Sequence, residues 1–124
     1  MNPTDVPLFN LLDRRLGWLE ARQGVLSQNV ANADTPGYVA RDLPSFARIL
    51  SGTSLAPTAT SPMHLMPSRS GIPARALAGE RAPDGNGVRL DEQLTRIADT
   101  DSAHELAATL YRKYLGLFRT AIGK

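Results

Sequence analysis

Cysteine is absent from this 124-residue chain, which removes disulfide frameworks, thiolate zinc sites and cysteine nucleophiles at once. Aromatic residues are scarce, at 6%. No apolar run approaches the roughly 20 residues that a bilayer-crossing helix needs, so direct membrane insertion is not expected. A cleavable secretion signal is not evident either, because Asp5, Asp13, Arg14 and Arg15 interrupt the only early apolar stretch. Charge of one sign is also lacking. The formal net charge is +2, and the scattered arginines never form the stripe a nucleic-acid groove requires, so no nucleic-acid partner is expected.

What is present divides into three segments of a single domain, residues 1–124: an N-terminal helix to residue 33, an irregular stretch over 34–90, and a C-terminal helix over 91–124. In the first, Phe9, Leu12, Leu16, Leu19, Leu26, Val30 and Ala33 alternate in steps of three and four, with Gln23 the one polar occupant. That seam predicts a long amphipathic helix from about Pro7 to Ala33. Pro7 suits a first turn, and Thr4 or Asp5 is placed to cap it. Asn29, Asn32 and Asp34-Thr35-Pro36-Gly37 predict its stop, since asparagine tolerates left-handed geometry and Pro36 cannot continue a helix.

In the last segment, Leu90, Leu94, Ile97, Asp101, His104, Ala108, Tyr111, Leu115, Phe118 and Ile122 keep the same alternation without a slip. A flanking row of Ala103, Ala107, Leu110, Tyr114, Leu117 and Ala121 widens the apolar face, so more than one neighbour is expected. Asp91 is the expected N-cap. Between the helices, residues 51–87 are rich in proline, glycine, serine and threonine and have no period, with Val88-Arg89-Leu90 the one hint of extended structure. The expected fold class is therefore mainly α: two long terminal helices as an antiparallel coiled-coil hairpin, with an irregular insert that leaves room for short β-structure. Two helices make a thin core, and surplus apolar face implies self-association or a partner helix.

Signals for chemistry are weak. Asp101, His104 and Glu105 share one side of the last helix, a spacing able to bind metal, but no further ligand cluster accompanies them. They read better as polar seam positions that set register or pair across helices. Asp84-Gly85-Asn86-Gly87 lacks the ligands of a calcium loop and reads as a turn whose glycines supply positive φ. No serine sits in a nucleophile elbow. Neither catalysis nor a cofactor is expected.

The most specific feature is Ser27-Gln28-Asn29-Val30-Ala31-Asn32-Ala33-Asp34-Thr35-Pro36-Gly37-Tyr38. It resembles the signature of the flagellar axial proteins (rod, hook and hook-associated subunits), an Asn-x-x-Asn-x-x-Thr-Pro-Gly-Tyr pattern after the first helix. Ala33-Asp34 and Val39-Ala40-Arg41-Asp42 resemble the proximal rod subfamily. Asp84 to Glu92 resembles that subfamily's Asp-Gly-Asn-x-Val-x-Leu-Asp-x-Glu element, with Glu92 one residue early, and Arg112-Lys113-Tyr114 with Thr120-Ala121-Ile122 resembles its closing helix. Gly87 and Asp101-Ser102-Ala103 depart from the pattern.

The resemblance implies a structural subunit that stacks with itself and other rod subunits into a helical tube. It implies export by the flagellar type III apparatus without a cleaved signal, a place in the periplasmic rod, and contact with the adaptor (FliE-type) joining rod to membrane ring. Asn29 and Asn32 would then satisfy helix-end carbonyls or a neighbouring subunit, and Ala33 to Tyr38 would set the angle of chain exit. Leu12, Leu16, Leu19, Leu26, Val30, Leu94, Ile97, Tyr111, Leu115, Phe118 and Ile122 would carry helix pairing and assembly. The competing reading is a non-polymerising two-helix adaptor or export chaperone that binds a partner helix, which has no need of Thr35-Pro36-Gly37-Tyr38.

Overall fold

The structure, a computed structural model, describes residues 2–52, 74–79, 81–83 and 85–123. The reading of residues 51–87 as an irregular stretch falls largely, and that of Asp84 wholly, outside the described residues. A 3₁₀ turn, Pro3–Asp5, leads into α1, Pro7–Ala31; then come β1, Arg41–Asp42, and α2, Phe46–Ser51. Further on lie β2, Arg75–Ala76, and α3, Leu90–Ala121. The protein is thus mainly helical, with one short antiparallel ribbon in which Arg41 faces Ala76 and Asp42 faces Arg75.

Pro7 stands in the first turn of α1, as its fixed φ favours. The cap differs from expectation. Val6 holds the N-cap position without a side-chain bond, while Thr4 and Asp5 belong to the preceding turn, where the Asn10 amide donates to Thr4 O at 3.0 Å. At α3 the N-cap is Arg89, also without a side-chain bond. Asp91 therefore lies inside the first turn with Glu92, where a negative charge favours the helix N-terminus through the macrodipole. Two further elements escape the sequence period. Val88-Arg89 pairs in no strand, although the Arg89 backbone is extended, and the described strands of the stretch over 34–90 are β1 and β2. The six-residue α2 is too short to show a period; Ser45 Oγ caps it by accepting from Arg48 N–H at 3.3 Å.

The seam of α1 is where the pattern puts it. Phe9, Leu19 and Leu26 are buried, and Leu12, Leu16 and Val30 are half-buried. On α3 the buried row is Gln93, Thr100 and Ala107, seven residues apart and one position before the expected row of Leu94, Asp101 and Ala108. One residue is about 100° of helix rotation, so Leu94 is 52% exposed and Ile122 41% exposed. Ile97, Tyr111, Leu115 and Phe118 stay half-buried at the edge of the contact. Apolarity misplaces this row because burial of Gln93 and Thr100 is tolerated once they are hydrogen-bonded, Gln93 to Asn29 at 2.8 Å and Thr100 Oγ1 to Arg96 O at 2.7 Å.

Contacts along α1 meet α3 in reverse sequence order. Phe9 packs edge-on against Phe118 and Tyr111, with ring centroids 5.8 and 5.5 Å away. Glu20 lies 3.7 Å from His104 Nε2, Gln23 Nε2 donates to Asp101 at 3.2 Å, and Asn29 reaches Gln93. Asp101 and His104 do pair across the helices. A small core of Trp18, Leu19, Leu43 and Ala107 sits midway, flanked by Phe46 and Ile49 of α2. Trp18 buries its ring and satisfies its indole N–H on Pro44 O at 2.9 Å.

Leu19→Ala or Leu26→Ala should cost about 2–5 kcal/mol, as a cavity in a thin core leaves little to collapse into it. Leu94→Ala should stay within about 0.5 kcal/mol. Urea unfolding of the three variants checks which row is the true seam.

Candidate functional site

At the exit of α1 the chain must turn without losing its last carbonyls to solvent. Asn32 does part of this. Its backbone N–H and its Nδ2 both donate to Gln28 O, at 3.1 and 2.9 Å, while its Oδ1 accepts from Thr35 Oγ1 at 3.1 Å. Asn32 has φ −103, so the left-handed step falls to Gly37 at φ 75, which a side chain would strain. Asp34 and Pro36 are exposed at the turn's tip.

Asn29 does something the helix-end reading missed. It is 0% exposed, and none of its side-chain bonds goes to a helix-end carbonyl. Nδ2 donates to Arg41 O at 2.6 Å and to Gln93 Oε1 at 2.8 Å. Oδ1 accepts from Arg41 N–H at 2.9 Å and from the Tyr38 hydroxyl at 3.4 Å. Both donors and both lone-pair directions of the amide are used. One side chain on α1 thereby holds the turn, β1 and α3 together.

A second amide closes the turn from the other side. Asn86 Nδ2 donates to Ala33 O and to Thr35 O, the latter at 3.1 Å, while its Oδ1 accepts from Val88 N–H at 2.8 Å. Gly87 N–H donates to Tyr38 O at 2.8 Å. Gly85 has φ +81, and a Cβ there would approach the Gly37 backbone at 3.5 Å. Gly87 does not have positive φ. A Cβ there would meet Tyr38 and Val39 at ordinary contact distance, so only Gly85 fits the turn reading as stated.

Above this clamp sits an ionic one. Arg22 grips Asp42 with two parallel bonds of 2.9 Å, and Arg96 reaches the same carboxylate at 3.2 Å while also bonding Glu92. Burial pushes the Asp42 carboxyl up, but the Arg22 bonds and charge, the Leu43 N–H and Arg96 outweigh it and hold it below the usual carboxylate range. Arg22 also lies 5.4 Å from the Trp18 ring centroid. Arg22, Asp42, Gln93 and Arg96 carried no sequence signal as a site, since none belongs to an apolar period. The adjacency of Arg41-Asp42 to the turn motif was the only pointer.

The arrangement fixes the geometry of the turn. Turn and clamp join the stretch after the first helix to the stretch before the last, and both stretches resemble one family. Residues 16–38 match the family model described as flagella basal body rod protein. Among relatives, the flagellar basal body rod protein FlgB of Escherichia coli K12 is 37% identical over 98 residues, spanning 69% of this chain and 71% of that protein. The FlgB of Proteus mirabilis is 33% identical, covering 82% of each chain, and that of Agrobacterium fabrum is 29% identical, covering 88% of this chain and 87% of its own. The class is thus that of the flagellar basal body rod proteins, structural components of the flagellum. Within it, the chain belongs to the FlgB family.

Asn29→Ala should destabilise the protein by about 1–3 kcal/mol for each buried group it strands. A double-mutant cycle with Gln93→Ala should show a coupling of about 0.5–3 kcal/mol. The depressed carboxyl makes a pH prediction. Asp42 contributes stability that is full above its unfolded value near 3.8 and is lost as pH falls through the lower folded value. Asp42→Asn should lower stability at neutral pH and flatten the acid limb of a stability-against-pH curve.

Proposed function

We propose that this chain is a proximal rod subunit that assembles with itself and with other rod proteins into the periplasmic drive shaft of the flagellum. In this reading α1 and α3 form an antiparallel coiled coil, and Leu12, Leu16, Leu19, Leu26 and Val30 meet Ile97, Tyr111 and Phe118 along it. The observation that carries the proposal is what this pairing leaves over. Leu90, Leu94, Leu106, Leu117 and Ile122 of the last helix region are all more than 40% exposed in a member of a rod-protein family, and exposed apolar side chains of this density mark interaction surfaces. Leu94 and Ile122 then serve neighbours more than the chain's own core, while Leu115 stays half-buried at the edge of the helix pair.

The turn from Ala33 to Tyr38, locked by Asn29, Asn32 and Asn86, sets the direction in which β1 and the insert leave the helix pair. Export through the flagellar type III apparatus without a cleaved signal, and contact with the adaptor of the membrane ring, complete the reading. No described helix is long and apolar enough to cross a membrane.

Leu117→Asp should leave the unfolding transition within about 0.5 kcal/mol of the parent and abolish swimming in a strain depending on this gene. Normal motility of that variant, at normal protein levels, would remove the exposed row from the function. Basal bodies isolated after deletion of the gene should lack a rod. A rod that forms without the protein would favour an adaptor or chaperone.

A further inference from the structure

The turn that Asn86 closes carries a reactive pair. Asn86-Gly87 is the one asparagine–glycine step in the chain; the other asparagines precede Pro3, Leu11, Val30 and Ala33. Asparagine before glycine cyclises readily, because glycine has no Cβ to hinder its own nitrogen and samples backbone angles that other residues avoid. In that step solvent base takes the Gly87 amide proton and the Gly87 nitrogen bonds to Asn86 Cγ. The Cγ–Nδ2 bond breaks, and Nδ2 leaves as ammonia with a proton returned by solvent. Water then opens the cyclic imide at either carbonyl, leaving aspartate or isoaspartate at position 86. Nothing is oxidised or reduced, and water is the only co-reactant.

In the closed turn every participating group is engaged. Asn86 is 6% exposed. Its Nδ2, the leaving group, donates to Ala33 O and, at 3.1 Å, to Thr35 O, while Oδ1 accepts from Val88 N–H at 2.8 Å. The attacking group is held too: Gly87 N–H donates to Tyr38 O at 2.8 Å. Across the same loop, Asn86 O accepts from Ala82 N–H at 2.8 Å. Cyclisation needs Gly87 stripped of its proton and Asn86 Cγ swung onto the bare nitrogen, so the bonds that hold the two residues must open first.

We propose that Asn86-Gly87 is a latent deamidation site, silent while the turn is closed and reactive when it opens. The product cannot take the reactant's place. Aspartate at 86 has no amide donors, and its ionised carboxylate faces the carbonyl oxygens of Ala33 and Thr35, acceptor against acceptor. Isoaspartate also lengthens the main chain by a carbon, which displaces Gly87 from Tyr38 O. A chain left open thus loses the link between residues 33–38 and 82–88 for good, whereas a closed chain preserves the residue that closes it.

The full chain is incubated in mildly alkaline buffer, native and unfolded in guanidinium chloride, and the tryptic peptide of residues 82–89 is followed by mass spectrometry. Asn86 is the one amide side chain in that peptide, so the mass gain of amide-to-acid conversion assigns the event; isomerisation of Asp84 beside Gly85 adds none. Slow chemistry on a folded chain tracks the population of its open form, so the unfolded chain should convert position 86 about tenfold faster or more. Gly87→Ala separates the site from the fold. Gly87 has no positive φ, and a Cβ there meets its nearest neighbour, Tyr38 O, at 3.6 Å. That variant should keep the parent's native fold and slow the unfolded reaction about tenfold. Asn86→Asp stands for the product, and hydrogen exchange at Gly87 N–H should quicken about tenfold or more in it. Equal rates in the native and the unfolded chain overturn the protection. An unfolded Asn86 no faster than Asn10, Asn29 or Asn32, or unaffected by Gly87→Ala, overturns the site. Parent-like exchange at Gly87 in Asn86→Asp overturns the loss of the link. The rate comparisons use only the parent and Gly87→Ala, and they decide even where Asn86→Asp does not fold.

Discussion

The turn, β1 and α3 are tied to the first helix by one saturated amide. Asn29 lies at the end of α1, wholly enclosed, and its four bonds reach Tyr38, both backbone groups of Arg41, and Gln93. A carboxamide so enclosed tolerates no alternative geometry, because any shift leaves a buried donor or acceptor unpaired at a cost of about 1–3 kcal/mol. Register between the two long helices follows from this point. A leucine seam can slide by a heptad with modest loss, whereas a fully used amide pair cannot. The Arg22–Asp42–Arg96 bridge, two turns of α1 away, holds β1 to both helices.

The packing of the turn binds together two stretches that lie far apart in the sequence. Asn86 and Gly87 close on the carbonyls of Ala33, Thr35 and Tyr38. Each stretch also turns on bonds of its own, Tyr38 N–H to Thr35 O in one and Gly85 N–H to Ala82 O in the other. The short ribbon and α2 extend this unit onto Trp18, whose ring lies between Arg15 and Arg22 and beside Phe46. The chain's core is accordingly a junction, thicker at the turn end of the helix pair than its two-helix plan implies.

How much of this the sequence discloses depends on which force places a residue. The helices were legible because apolar periodicity speaks for hydrophobic burial, and on α1 that is the force in charge: Phe9, Leu19 and Leu26 go where the period puts them. On α3 the same period points one residue too far. Gln93 and Thr100 win the interior through hydrogen bonds that depend on residues 64 positions away or on the helix's own backbone. Asn29 and Asn32 look alike in the motif, yet only Asn32 serves the helix end. The difference lies in which side of α1 each faces relative to Arg41, and strand position was invisible before the ribbon was known. The six residues of α2 and the ionic bridge are legible only in three dimensions, since neither rests on repetition.

The reach of Asn29 also has a consequence in time. Its partner Gln93 follows it by 64 residues, so α1 has the contacts of Leu43, Phe46 and Ile49 well before those of α3. An isolated helix of that length with two glycines, Gly17 and Gly24, is marginal in water. Closing the first helix onto the last is a non-local step, made across more than half the length of the chain, and such steps are the slow ones in folding.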